Sequence, residues 1–455
     1  MTEEKIGWNL INESERKKIF EFSEEYKKFI GEVKTEREAV KFFRKMAEEN
    51  GFKEMNGKVV PGGKYYVVKN EKAIALVHLG KDPFADYKVI AAHMDSPRLD
   101  VKPHPLEEDK ESHFVLMKTH YYGGIKKYQW FSRPMALHGL VVTKQGKKIE
   151  IKIGENENDP VFSIPDLLPH LSRKEQGEKK LLEGFEGEKM EIIVSHIPDK
   201  NEKENAFKKH FLALMKERYG IDEDDFYSAD LEVVPAEGPR DVGIDAAMIG
   251  AYGQDDKICS YTASRALFDA KSNGNVIVIL YDKEEIGSDG NVGAQSNFIE
   301  YVLVNILEKS GKNYTYGKLL EIMHRSKVIS ADVGAAVNPL FKNVHDMSNA
   351  GKAGNGILIM KYTGSGGKYG ASEAQAEFMA EIRKMFEDKK VIYQYGLLGK
   401  VDEGGGGTVA KYLASYGFNV IDMGPGLISM HSPFELVSKL DLWSAYNAYK
   451  VFIES

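Results

Sequence analysis

Two histidines and four acids, spread from position 93 to position 431, occupy segments whose chemistry could bind metal and activate water. They are His93 in AAHMDSP, Asp255 in GQDDKICS, Glu284 and Glu285 in YDKEEIGS, Asp332 in ISADVG and His431 in SMHSPFE. Imidazole and carboxylate together suit zinc, or a similar divalent ion such as cobalt or manganese. Two ions about 3.5–4 Å apart need a bridging group, and a carboxylate has two oxygens to share. One bridging Asp, two His and two further carboxylates give each ion three protein ligands, leaving room for water and substrate. Glu284 is then left without a metal to hold, and a free carboxylate beside an activated water can act as general base. Taken singly, each residue has an ordinary reading: a histidine ending a strand, or paired glutamates on a surface. Their joint placement carries the expectation.

Convergence of residues so far apart requires a fold that gathers strand ends. Four short apolar runs read as buried parallel strands: 87–93 (YKVIAAH), 275–282 (NVIVILYD), 326–332 (SKVISAD) and 418–424 (FNVIDMG). Helical patterns alternate with them, at 15–33, 260–273 and 373–388. The expected fold is α/β, a three-layer αβα catalytic domain with a mixed, mostly parallel sheet. His93, Glu284, Glu285 and Asp332 follow such strands, and open α/β sheets bind ligands at the carboxyl ends of strands. Between 106 and 235 the pattern changes to alternating apolar and polar residues (VLMKTHYYGG, HGLVVTK, KKIEIKIG, MEIIVSHI), with one helix at 206–220. This predicts a smaller β-rich domain at 106–235 inserted into a catalytic domain formed by 1–105 and 236–455. The charged stretch 172–191 reads as a solvated hairpin or loop.

Composition excludes several classes. The 455 residues are too many for one simple core. No run of about 18 apolar residues marks a membrane span, and the start, MTEEKIGWNL, lacks a secretory signal pattern. A net charge of −7 offers no broad basic surface for nucleic acid. Cys259 is the only cysteine, which fits a reducing cytoplasm. No histidine motif accompanies it, so its apolar neighbours mark it as a small buried residue. The run Gly404–Gly407 lacks the GK[ST] ending of a phosphate loop and reads as a place where backbone approaches substrate or as the turn from a strand into the following helix.

The segments AAHMDSPRLDVKP, LYDKEEIGSDGNVGAQS, ISADVGAAVNP and MGPGLISMHSPFE resemble signatures of the aspartyl aminopeptidases. YYGGIKKYQWFSRPMALHGLVVT resembles that family's middle segment. The resemblance implies a dinuclear zinc exopeptidase with an inserted domain used in oligomerisation, built from dimers into a tetrahedral dodecamer. It implies that Asp255 bridges two ions, with His93 and Asp332 on one, Glu285 and His431 on the other, and Glu284 as base. Asp95 would orient the His93 imidazole. Lys361, Gly404 and Gly405 would lie by the substrate, and His170 would reach a neighbouring subunit's active site.

The chain departs from that pattern at Ala335 and Asn338, where the family carries histidines, and at Ser132, where it carries an acid. The ligands and base are retained, so the expectation is hydrolysis of the N-terminal residue of peptides. Preference for an acidic first residue then rests on Lys361. Two alternatives stand beside it: a dimetal N-acyl amidohydrolase, and a non-catalytic assembly or peptide-binding protein.

Overall fold

The computed structural model describes residues 6–455. The chain divides into two compact units, one formed by residues up to Asp95, Pro239–Met430 and Phe434–Ser455, the other by Ser96–Gly238 with His431–Pro433.

The larger unit is built on a nine-stranded mixed sheet. At its centre Asn275–Tyr281, Tyr87–His93, Lys327–Ser330 and Asn419–Gly424 lie side by side and parallel. Antiparallel strands flank them, Ala73–His78 on one side and Ile357–Met360 on the other. The central strands are apolar on both faces because both faces are covered. Ile90, Ala92, Ile329 and Ile421 pack with helices Glu13–Glu32, Glu36–Glu49, Gln254–Asp269 and Lys439–Glu454. Val89, Ala91, Val328 and Val420 pack with Phe298–Lys309, Tyr316–Arg325 and Ala410–Ser415. The alternation along each strand therefore sorts neighbouring residues into two separate cores. The two N-terminal helices start at capping boxes, Asn12 with Glu15 and Thr35 with Glu38. Cys259 is fully buried on helix Gln254–Asp269, as its neighbours predicted.

The smaller unit carries a six-stranded antiparallel sheet in the order Lys148–Ile153, Met135–Val142, Ala229–Pro235, Arg98–Asp109, Phe114–Tyr122, Ile192–Ser195. Strand Arg98–Asp109 is not visible as an alternating pattern, because Pro103 and Pro105 interrupt it. Its register with Phe114–Tyr122 shifts between Val101 and Leu106, where those prolines lie and a ladder donor is missing. The charged stretch is not a hairpin. It holds helical turns at Arg173–Gly177, Leu181–Gly184 and Gly187–Lys189, largely exposed. No described helix is long and apolar enough to cross a membrane.

Candidate metal centre

Three parallel neighbours bring the chemistry together. Register pairs Tyr281 with His93 and Ser330 with Ala91, so these strands end at one edge. His93 is the last residue of its strand, Asp332 lies two residues beyond Ser330, and Glu284 and Glu285 form a tight turn after Tyr281. Lys283 and Gly287 take positive φ on either side of that turn.

Four acids surround the His93 ring. From Nε2, Asp255 Oδ1 is 3.3 Å away, Glu284 Oε2 3.8 Å and Asp332 Oδ1 3.9 Å. On the other side, Nδ1 lies 3.1 Å from the Asp95 carbonyl and 3.3 Å from its Oδ1. Asp95 Oδ1 and Oδ2 also accept the backbone N–H groups of Glu284 (3.1 Å) and Glu285 (3.2 Å). Asp95 thus holds the imidazole and the turn carrying Glu284 and Glu285 in one arrangement, a second task its sequence position did not reveal.

Two sets of side chains place one potential ligand atom each within 4.8 Å of one another: His93 with Asp255 and Glu285, and His93 with Asp256 and Asp332. Asp256 was not among the expected ligands. It is fully buried, and its Oδ1 has no hydrogen-bond partner. The neighbouring acid in the DD pair was the available signal.

The electrostatics of this cluster favour a cation. Burial opposes protonation of His93, yet Asp255, Asp95 and Glu284 outweigh it and hold its pKa well above the ordinary range. Burial raises the Asp332 carboxyl well above the carboxylate range, and Glu284, Asp255 and Asp422 add to it. Carboxylates crowded out of water repel one another unless positive charge sits among them. Imidazole and carboxylate are the donors a zinc-type ion takes, so the residues fit such an ion.

The other expected residues are outside these two sets. His431 is in neither set. It belongs to the smaller unit, with positive φ and Nδ1 2.9 Å from the Gly124 carbonyl. His170, in the same unit, is exposed. Lys361 follows strand Ile357–Met360 and is exposed. Gly405 pairs with Ser365 across the short ladder Gly364–Ser365 with Gly405–Gly406, whereas Gly404 lies open. Thr408 closes the glycine run by donating to buried Asp422 at 2.6 Å, and burial raises the Asp422 carboxyl to about 6.

Comparison with known proteins decides the family. The profile of the aminopeptidase I zinc metalloprotease family, M18, matches residues 29–453. This chain belongs to the M18 family. A probable M18 family aminopeptidase 1 from Borreliella afzelii is 50% identical over 451 residues, 98% of each chain. The crystal structure of the M18 aminopeptidase from Thermotoga maritima matches at a TM-score of 0.94 and 46% identity, covering all of both chains. That of aminopeptidase I from Clostridium acetobutylicum matches at 0.92 and 39%, again over all of both chains. The protein is therefore a metal-dependent M18 aminopeptidase of mixed α/β fold, a hydrolase that removes N-terminal residues.

Proposed function

We propose that the centre holds two divalent ions, zinc first and cobalt or manganese as substitutes, with Asp255 as the shared ligand. His93 and Asp332 would hold one ion, Glu285 and His431 the other. The convergence of Asp255, Glu284 and Asp332 on His93 Nε2 carries this reading. Bound there, the ions would supply Lewis acidity and lower the pKa of a water to about 7. Glu284 takes the proton of the attacking water and delivers it to the leaving amine. Asp95 keeps the His93 ring and the Glu284–Glu285 turn in register while the charge moves. Lys361, His170, Gly404 and Gly405 contribute to substrate binding, with Lys361 the cation available to an acidic first side chain.

The inserted domain serves as the dimerisation or lid element of a homo-oligomer, built from dimers toward a dodecamer. Val161, Leu167, Leu168, Leu171, Leu181 and Leu182 support an interface there, since they expose apolar surface close together in sequence. The absence of a membrane-length apolar helix among the described residues and the single buried cysteine are consistent with a cytoplasmic setting.

One experiment tests the reading. Metal-stripped protein is refilled with zinc, cobalt or manganese and assayed on aminoacyl substrates with free and acylated amines. Activity only after refilling, and only on free amines, is expected. Equal activity without metal would sink the reading, and turnover of acylated amines would transfer it to the amidohydrolase alternative.

A further inference from the structure

Asp255 sits where a helix begins without helical geometry. Gly253 takes φ 72°, Asp255 has φ −79° and ψ 109°, and Asp256 has φ −118° and ψ 30°. The N–H groups that open a helix have no helical carbonyl to bond, and here the first turn is also irregular. Something outside the helix must fix the backbone, or the Asp255 carboxylate has no reason to point at His93.

Glu435 supplies that fixing. It is 1% exposed. Its Oε2 accepts the N–H of Gln254 at 2.6 Å and that of Asp255 at 3.1 Å. Its carbonyl accepts the Gln254 side-chain amide at 2.6 Å, and the same amide reaches Ile249 O at 3.3 Å. The Gln254 side-chain Oε1 accepts from the Tyr26 hydroxyl at 3.5 Å. Glu435 is itself held, because it opens strand Glu435–Ser438 and pairs with Ala251, two residues before Gly253. A negative carboxylate across two N-terminal amides is also the favourable sign for the helix dipole. Glu435 lies four positions after His431, so one segment carries a proposed ligand and the support of another.

We infer that Glu435 is a positioning residue that holds Asp255 ready to bind metal, through the backbone rather than by touching an ion. This rests on the metal reading above. Groups that orient ligands typically change metal affinity about 10–100-fold when removed.

The test is zinc titration of chelator-stripped protein by competition with a chromophoric chelator, for wild type, Glu435→Ala and Glu435→Gln. The melting temperature of each stripped protein is measured in parallel. The expected result is an affinity loss of about 10–100-fold for Glu435→Ala and a smaller loss for Glu435→Gln, which keeps one accepting oxygen. The Glu435→Gln melting temperature should match wild type without metal. Wild-type zinc affinity in Glu435→Gln overturns the inference, as does a loss that only follows a lowered metal-free melting temperature. If Glu435→Ala does not fold, Glu435→Gln alone decides. Failure of the wild-type protein to bind zinc would instead overturn the metal reading.

Discussion

Replacing Asp95 with Asn separates charge from shape at the centre. Three donors meet its two oxygens: Glu284 N–H and the His93 ring at Oδ1, and Glu285 N–H at Oδ2. An Asn has one accepting oxygen. In the better of its two orientations the oxygen replaces Oδ1, keeping Glu284 and His93, and the amide nitrogen then faces the Glu285 N–H. One hydrogen bond to a charged group is lost, worth about 1.5–3 kcal/mol. At about 1.4 kcal/mol per factor of ten, this is roughly 10–150-fold. In the other orientation two donors are lost, so this is the smaller of the two outcomes. The loss falls on the turn that carries Glu285 and Glu284, and therefore on both zinc affinity and kcat/KM. The assay is zinc titration of stripped Asp95→Asn, then steady-state kinetics on a free aminoacyl substrate at saturating zinc. Affinity and kcat/KM both within about threefold of wild type would refute the reasoning.

Glu284→Gln should keep wild-type metal content while kcat falls about 10²–10⁴-fold, measured by elemental analysis and turnover. Chelation should lower the melting temperature; zinc at a hundred times its Kd restores about 2.7 kcal/mol, read by differential scanning fluorimetry. Gly405→Ala places a Cβ 2.2 Å from Gly364 O at φ +147°, whereas Gly404→Ala meets open space. The first should raise KM and lower stability by about 1–3 kcal/mol, the second should leave both near wild type, checked by kinetics and thermal melts. Asp441, buried beneath the amides of Gly354 and Gly356, has its carboxyl raised to about 7 by burial. A raised carboxylate stabilises the folded state below its unfolded pKa near 4, and that stability is lost as pH climbs through 7. About three units correspond to at most about 4 kcal/mol, so wild type should lose stability relative to Asp441→Asn between pH 4 and pH 8 in denaturant titrations.

The central strands were readable because a strand buried on both faces must be apolar throughout. Tyr87–His93 and Asn275–Tyr281 are written as such runs. A strand that alternates around prolines, such as Arg98–Asp109, leaves no such trace. The ligand candidates were readable because strand ends in a parallel sheet share an edge, and chemistry-bearing residues placed there stand out. His93, Glu284, Glu285 and Asp332 stood out there as candidates, whereas Asp255, which opens helix Gln254–Asp269 instead of ending a strand, stood out by residue type and the signature segments.

Their supports did not. Asp95 reaches the Glu284 and Glu285 amides across about 190 positions, and Glu435 reaches Asp255 across 180. A carboxylate accepting a main-chain N–H places no demand on the identity of its partner, so nothing in the partner's side chain advertises the bond. The amino-acid sequence determined which residues could do chemistry and which strands had to be buried. Folding decided which acids face His93, that Asp256 joins them, and which buried carboxylates hold the others still, because those relations depend on backbone geometry and register that no local pattern encodes.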